Sequence, residues 1–288
     1  MNTSASLLER LSAYVGPIAL SAFSLFLTFH IVQPLALWLD PTFTLLANRG
    51  VGKIAFTIAV IVHILLLLST VSRNFMRQFF ATNVLFLRNV QWLKTFFGFL
   101  TLFSLLHSSV IALAVVIGAA EFHPELLALI PSKCGSLLWG LVVTFFLAWT
   151  EELIFRGTLY PFFRQGMSTI ASALLTSTIF MFVHNITNPL DMVTTNWRLG
   201  LGLFLLGLML NLVFALTGKL YVGMGMHAGV VFVKVFLRRI PCVTYIGTLP
   251  WWLNADLRQA PLVHALFGLV VICLLVMITK KRQSLSSH

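Results

Sequence analysis

Glu151 and Glu152 are adjacent carboxylates at the end of a long apolar run, and Arg156 follows them. Ionisable side chains are costly inside a bilayer, so in an apolar segment they mark a functional position by default. On a helix, Glu152 and Arg156 stand four residues apart, share a face and can pair. Glu151 projects about 100° away and has no such partner within its own helix. Glu152 is therefore expected to be the ion-paired, structural carboxylate, and Glu151 the free one available for proton transfer. The plainer reading is a helix that ends in charges at the water interface. His184 and His227 follow, each inside a later apolar run. Taken alone, these two histidines rank no higher than the others in apolar runs. No His-Glu-x-x-His run is present to favour zinc.

His30, His63, His107 and His264 also lie in apolar stretches. A lone histidine in such a place is more often a hydrogen-bonded core residue than a ligand. Asn211, deep in an apolar run, reads as interhelical glue. Lys234, near the end of another, can snorkel.

The elements that must position these residues are membrane helices. Of the 288 residues, 59% are hydrophobic and only 9% charged, against about 25% charged in a soluble domain. The mean hydropathy is +0.96. The fold class is all-α: a polytopic helical membrane protein with about eight transmembrane helices. A β-barrel is excluded, because its strands would alternate with a period of two. The net charge of +11 does not point to nucleic acid. Lys and Arg fall mostly in short loops and near the C-terminus, where they orient helices against anionic lipid.

Apolar runs of roughly spanning length cover 12–39, 54–71, 96–120, a segment from Gly135 through Glu151, 168–186, 199–216, 220–237 and 261–279. Residues 73–94 mix Arg73, Arg77, Arg88 and Lys94 with aromatic and aliphatic residues, as an interfacial amphipathic helix would. That linker and Lys280-Lys281-Arg282 are the richest basic stretches. Both are expected on the cytoplasmic side, with both termini inside and the protein in the cell inner membrane. Arg238 and Arg239 fall on the outer side and break the rule. Glu151 lies about 14 residues before the turn near Gln165-Gly166, and His184 about 18 after it. In an antiparallel pair this puts them near one level. Pro161 is expected to kink or end the helix between them. The three cysteines show no metal-ligand spacing; Cys273 reads as a core residue, and Cys134 and Cys242 share a side where a disulfide is an option.

The motifs form an ordered set: Glu151-Glu152-x-x-x-Arg156, then Phe180-x-x-x-His184, then His227-Ala228 after Gly218, Gly223 and Gly225. Arg156-Gly157 and the stretch from Leu216 to Leu220 fit the same pattern. The set resembles the CPBP family of intramembrane proteases, which comprises Rce1-type CAAX prenyl endopeptidases and bacteriocin-processing relatives, also called the abortive-infection family. The resemblance covers about 135–238. It divides the chain into 1–134, N-terminal transmembrane helices with the basic linker; 135–238, the catalytic core; and 239–288, an outer loop, a last helix and a basic tail.

The resemblance implies an endopeptidase acting on a protein or peptide at the membrane, with a prenylated substrate as the eukaryotic precedent. It implies Glu151 as the base that activates water. His184 and His227 would bind that water or stabilise the transition state, and Glu152, Arg156 and Phe180 would support them. If a metal is used, Glu151, His184 and His227 are its ligands, with Zn2+ the divalent ion to consider. The family's third motif carries Asn four residues after the histidine, and here that residue is Val231. An oxyanion donor there is typically worth about two to three orders of magnitude in rate. His227 in its protonated form and Asn211 are the candidates to replace it; Asn185 projects away from His184. A silent relative acting as a membrane scaffold is the alternative that Val231 favours. A proton-coupled transporter is disfavoured, since no inverted repeat or paired broken helices stand out.

Overall fold

The computed structural model describes residues 90–185 and 188–286, all within one compact unit, Phe86–His288. Seven helices carry this part of the chain: α1 Gln91–Val116, α2 Ile130–Ile154, α3 Tyr160–Arg164, α4 Thr169–Val183, α5 Trp197–Thr217, α6 Leu220–Arg239 and α7 Pro261–Ser286. A π-helical turn, Phe155–Leu159, joins α2 to α3 without a break. Five helical segments are long and apolar enough to cross a membrane: Gln91–Val116, Pro124–Arg164, Trp197–Thr217, Leu220–Arg239 and Pro261–Lys281. This is an all-α membrane protein. The expected spans at 12–39 and 54–71, the linker at 73–94 up to residue 89, His30 and His63 lie outside the described residues.

Two boundaries differ from the sequence reading for physical reasons. Of the two effects expected of Pro161, a kink or an end, the end does not occur. The ladder has already left α-helical register in the π turn, where Thr158 Oγ1 donates to Leu153 O at 3.0 Å, so the proline enters at the start of a new α segment. The run at 168–186 gives only the 15-residue α4, about 22 Å long. It starts where Ser168 Oγ accepts from Ala171 N and stops at His184. At the other end of α5, Gly218 takes the left-handed conformation (φ 64°) that closes a helix and starts a tight turn.

Packing is set by glycines on one helix. A side-chain carbon at Gly225 would meet Phe96 O at 2.5 Å, and one at Gly229 would meet Leu100 O at 2.5 Å. The bare Gly-x-x-x-Gly face thus lets α6 lie directly on α1, and Ser104 Oγ donates to Gly229 O across the contact at 3.1 Å. Since Phe96 faces Gly225 and Leu100 faces Gly229, the two helices run parallel. Their C-terminal ends are tied by a two-stranded ribbon, β1 Ala120–Phe122 against β2 Val243–Tyr245, antiparallel. The ribbon is an addition to the all-α expectation, and it places loops 117–129 and 240–260 on one side of the unit.

The opposite end carries Lys94, Arg164, Lys219, Lys280 and Lys281 and, among the described residues, no Asp or Glu. Among the described residues the loop acids are at the ribbon end: Glu121, Glu125, Asp191 and Asp256. The exception raised by Arg238 and Arg239 has a local cause. Both sit in the last turn of α6, where cations complement the helix dipole, and Arg239 Nη1 donates to Val235 O at 3.1 Å. Lys234 does not stretch toward water alone; its Nζ reaches Asp256 at 3.3 Å. Cys134, Cys242 and Cys273 are all free thiols.

Candidate active site

Three helices supply the site. The C-terminal end of α2 brings Glu151 and Glu152, and the π turn that follows brings Arg156. The end of α4 brings Phe180 and His184, and α6 brings His227. A π turn changes which side chains share a face, and such turns recur at functional sites.

Glu152 and Arg156 form the deepest layer, and neither is exposed at all. Arg156 Nη1 donates to Glu152 Oε1 at 3.0 Å, and Nη2 donates to Gly207 O of α5 at 2.8 Å. The guanidinium lies 5.0 Å from the centre of the Phe180 ring. A glycine at 207 leaves Phe180 room, since a side-chain carbon there would be 3.2 Å from its ring. Phe180 then packs at a steep tilt against His184, 4.5 Å between centroids, and lies 6.1 Å from His227, edge to face.

Above this layer Glu151 and the two imidazoles converge. Glu151 Oε2 is 3.7 Å from His227 Nε2 and 3.9 Å from His184 Nε2. Both separations exceed a direct N–H···O bond, and each is short enough for one water to touch both atoms. The Oε2 atom is buried and accepts no hydrogen bond within the described residues. The other ring nitrogens are engaged elsewhere: His184 Nδ1 with Phe180 O at 2.7 Å, and His227 Nδ1 with Glu152 Oε1 at 3.2 Å. Both partners are acceptors, so each Nδ1 donates. The Nε2 atoms therefore face Glu151. The side chains of Glu151 and His184 are 21% and 23% exposed and that of His227 only 4%, so the centre is reached from the Glu151–His184 side.

Two imidazole nitrogens and a carboxylate are donors of the kind Zn2+ takes. Donors around one tetrahedral ion lie about 3.4 Å apart, closer than these. Among the described residues no group of three or more His, Cys, Asp and Glu side chains is spaced to hold a metal ion.

The remaining candidates separate from the centre. Asn211 is fully buried, and its Nδ2 is committed to Ser177 Oγ at 2.9 Å and Ala173 O at 3.3 Å. It links α5 to α4 and has no free donor for an oxyanion. His107 bonds Phe103 O within α1 at 3.3 Å, and His264 bonds Arg258 O at 2.8 Å; neither joins the set. Val231 is half-buried one turn beyond His227. The sequence reading missed the Glu152–His227 contact, because a spacing of 75 residues between helices carries no local signal. It also passed over the Gly225–Gly229 pair, which was legible as a helix-contact motif.

Fold and site together define a class: a polytopic membrane protein with a carboxylate–imidazole centre enclosed by its helices. Residues 133–233, which hold every residue of that centre, match a family described as type II CAAX prenyl endopeptidase Rce1-like, so over this stretch the chain is similar to that family. No curated protein and no solved structure matches it.

Proposed function

We propose that this chain is an intramembrane endopeptidase that hydrolyses a peptide bond with a water activated by Glu151. The observation that carries the reading is the approach of both Nε2 atoms to the unpartnered Glu151 Oε2, at 3.7 and 3.9 Å. Three acceptors that face one point need protons between them. A water supplies two, and in this mechanism one imidazole carries the third. Glu151 takes a proton from the water as its oxygen attacks the peptide carbonyl carbon. The carbonyl oxygen becomes negative, and the protonated imidazole donates to it. The C–N bond then breaks, and Glu151 passes its proton to the leaving amine. The products are a new C-terminal carboxyl and a new N-terminal amine.

An imidazolium in this role replaces the donor that Val231 lacks. It is His227 or His184, since Asn211 has no donor left. A protein or peptide held at the bilayer is the substrate class, and a prenylated C-terminal peptide is the first to try. The same departure at Val231 favours a second reading, a silenced relative that binds partner proteins without cutting them. Both termini are assigned to the cytoplasm, and the inner membrane is the proposed location.

Substrate trapping tests the proposal. A Glu151→Gln variant, captured with its bound proteins and analysed by mass spectrometry, should hold uncut proteins that the wild type holds only as fragments. Intact partners held equally by both forms would leave the scaffold reading in its place.

A further inference from the structure

Gly223 lies one turn before His227 on α6. A side-chain carbon at this position would sit 2.7 Å from Glu152 Oε2 and 3.4 Å from its Cδ, while the next neighbour, Leu210, would be at an ordinary 3.7 Å. The bare Cα thus forms the wall against which the Glu152 carboxylate rests. The other oxygen of that carboxylate receives both Arg156 Nη1 and His227 Nδ1. We infer that Gly223 and Glu152 are positioning residues for His227: the glycine leaves the space that seats the carboxylate, and the carboxylate holds the ring with Nδ1 protonated and Nε2 turned to Glu151. Glu152 is then more than the structural half of an ion pair. The inference rests on the proteolytic reading for its catalytic consequence, and on geometry alone for the state of the ring.

Gly223→Ala separates positioning from folding. The atom it strikes is the far end of a flexible side chain, so the helices need not move apart, but Oε2 must retreat by about 0.7 Å to reach ordinary contact. Misplacing a reacting group by about 1 Å can cost 10²-fold in rate. The primary readout is nitrogen-15 NMR of histidine-labelled protein in lipid nanodiscs, which reports the tautomer of His227. The wild type should show His227 protonated at Nδ1 and unprotonated at Nε2 when neutral. Gly223→Ala should lose that preference. His184, whose Nδ1 bonds Phe180 O, should keep its own and serves as the internal control.

If Gly223→Ala fails to fold, the double variant Glu152→Leu/Arg156→Leu removes the acceptor without leaving a lone buried charge, and it should lose the preference too. In a cleavage assay Gly223→Ala should lower kcat by about 10²-fold with KM within about twofold. A neutral wild-type His227 protonated at Nε2 rather than Nδ1, or an unchanged Nδ1–H form in both variants, overturns the inference. A wild type that cuts nothing overturns the proteolytic reading, and the tautomer measurement then decides this one by itself.

Discussion

Arg156→Ala is the perturbation whose cost the structure defines best. Arg156 and Glu152 are both fully buried. Removing the guanidinium takes away the 3.0 Å pair with Glu152, the 2.8 Å bond to Gly207 O and the contact with the Phe180 face. It leaves the Glu152 carboxylate inside the membrane with only the His227 Nδ1–H as donor. Breaking one partner out of a buried pair costs about 3–5 kcal/mol. The surviving His227 bond argues for the lower end, about 3 kcal/mol. Against a total stability on the order of 5–15 kcal/mol, that is a large loss. For a unit of this size it corresponds to a fall in Tm of roughly 6–12 °C. The assay is thermal unfolding of purified wild type and Arg156→Ala in one detergent, with the amount of membrane-inserted protein as a second readout. The Glu152→Leu/Arg156→Leu double variant should recover most of the loss, since it strands no charge. A Tm for Arg156→Ala within about 2 °C of wild type would refute the reasoning.

Asn211→Ala should lower stability by about 1–3 kcal/mol, because Ser177 Oγ loses its buried donor; thermal unfolding measures this. Per molecule of folded protein, the variant should cleave at the wild-type rate, and a tenfold drop would return Asn211 to the oxyanion role. For topology, the exposed Cys134 and a cysteine introduced at Gln165, both at helix ends, should label with a membrane-impermeant reagent from opposite faces of sealed vesicles. Labelling from the same face would contradict the helix arrangement. Loop 246–260 should be pinned in a pH-dependent way. Burial pushes the Asp256 carboxyl up, but the hydrogen bond and charge of Arg258, with the charge of Lys234, overcome this and hold it down at about 2, below its ordinary 3.8. A depressed carboxyl contributes stability that is fully present above pH 3.8 and is lost as pH falls through about 2. Hydrogen exchange in the loop should therefore be constant, once corrected for intrinsic rates, down to about pH 4, and rise below it. Asp256→Asn should exchange fast across the whole range.

The sequence made the pairing of Glu152 with Arg156 legible because both ends lie within one turn of one helix, where spacing dictates the face. Hydropathy made the helices legible, since few chemistries other than a bilayer tolerate such runs. That Glu151 and His184 stand at one level followed from counting along an antiparallel hairpin. What lay between helices distant in sequence was not legible. The Glu152–His227 bond, the reach of Arg156 to Gly207 O and the commitment of Asn211 to Ser177 depend on helix rotation, which apolar faces on all sides leave undetermined. The π turn escaped for another reason. It changes the hydrogen-bond register without changing composition, and it altered the expected effect of Pro161. The β1–β2 ribbon has only three residues in each strand, too few to show an alternating pattern.

The central claim is that Glu151 activates water for peptide hydrolysis. The most direct measurement is a mass-spectrometric census of protein termini in membranes that contain wild type, Glu151→Gln or Val231→Asn at equal levels of folded protein. The account predicts a set of new termini in the wild-type membranes that is missing with Glu151→Gln and kept or increased with Val231→Asn. Identical termini with wild type and Glu151→Gln, together with new ones only in Val231→Asn, would contradict it and mark the native chain as a silenced protease.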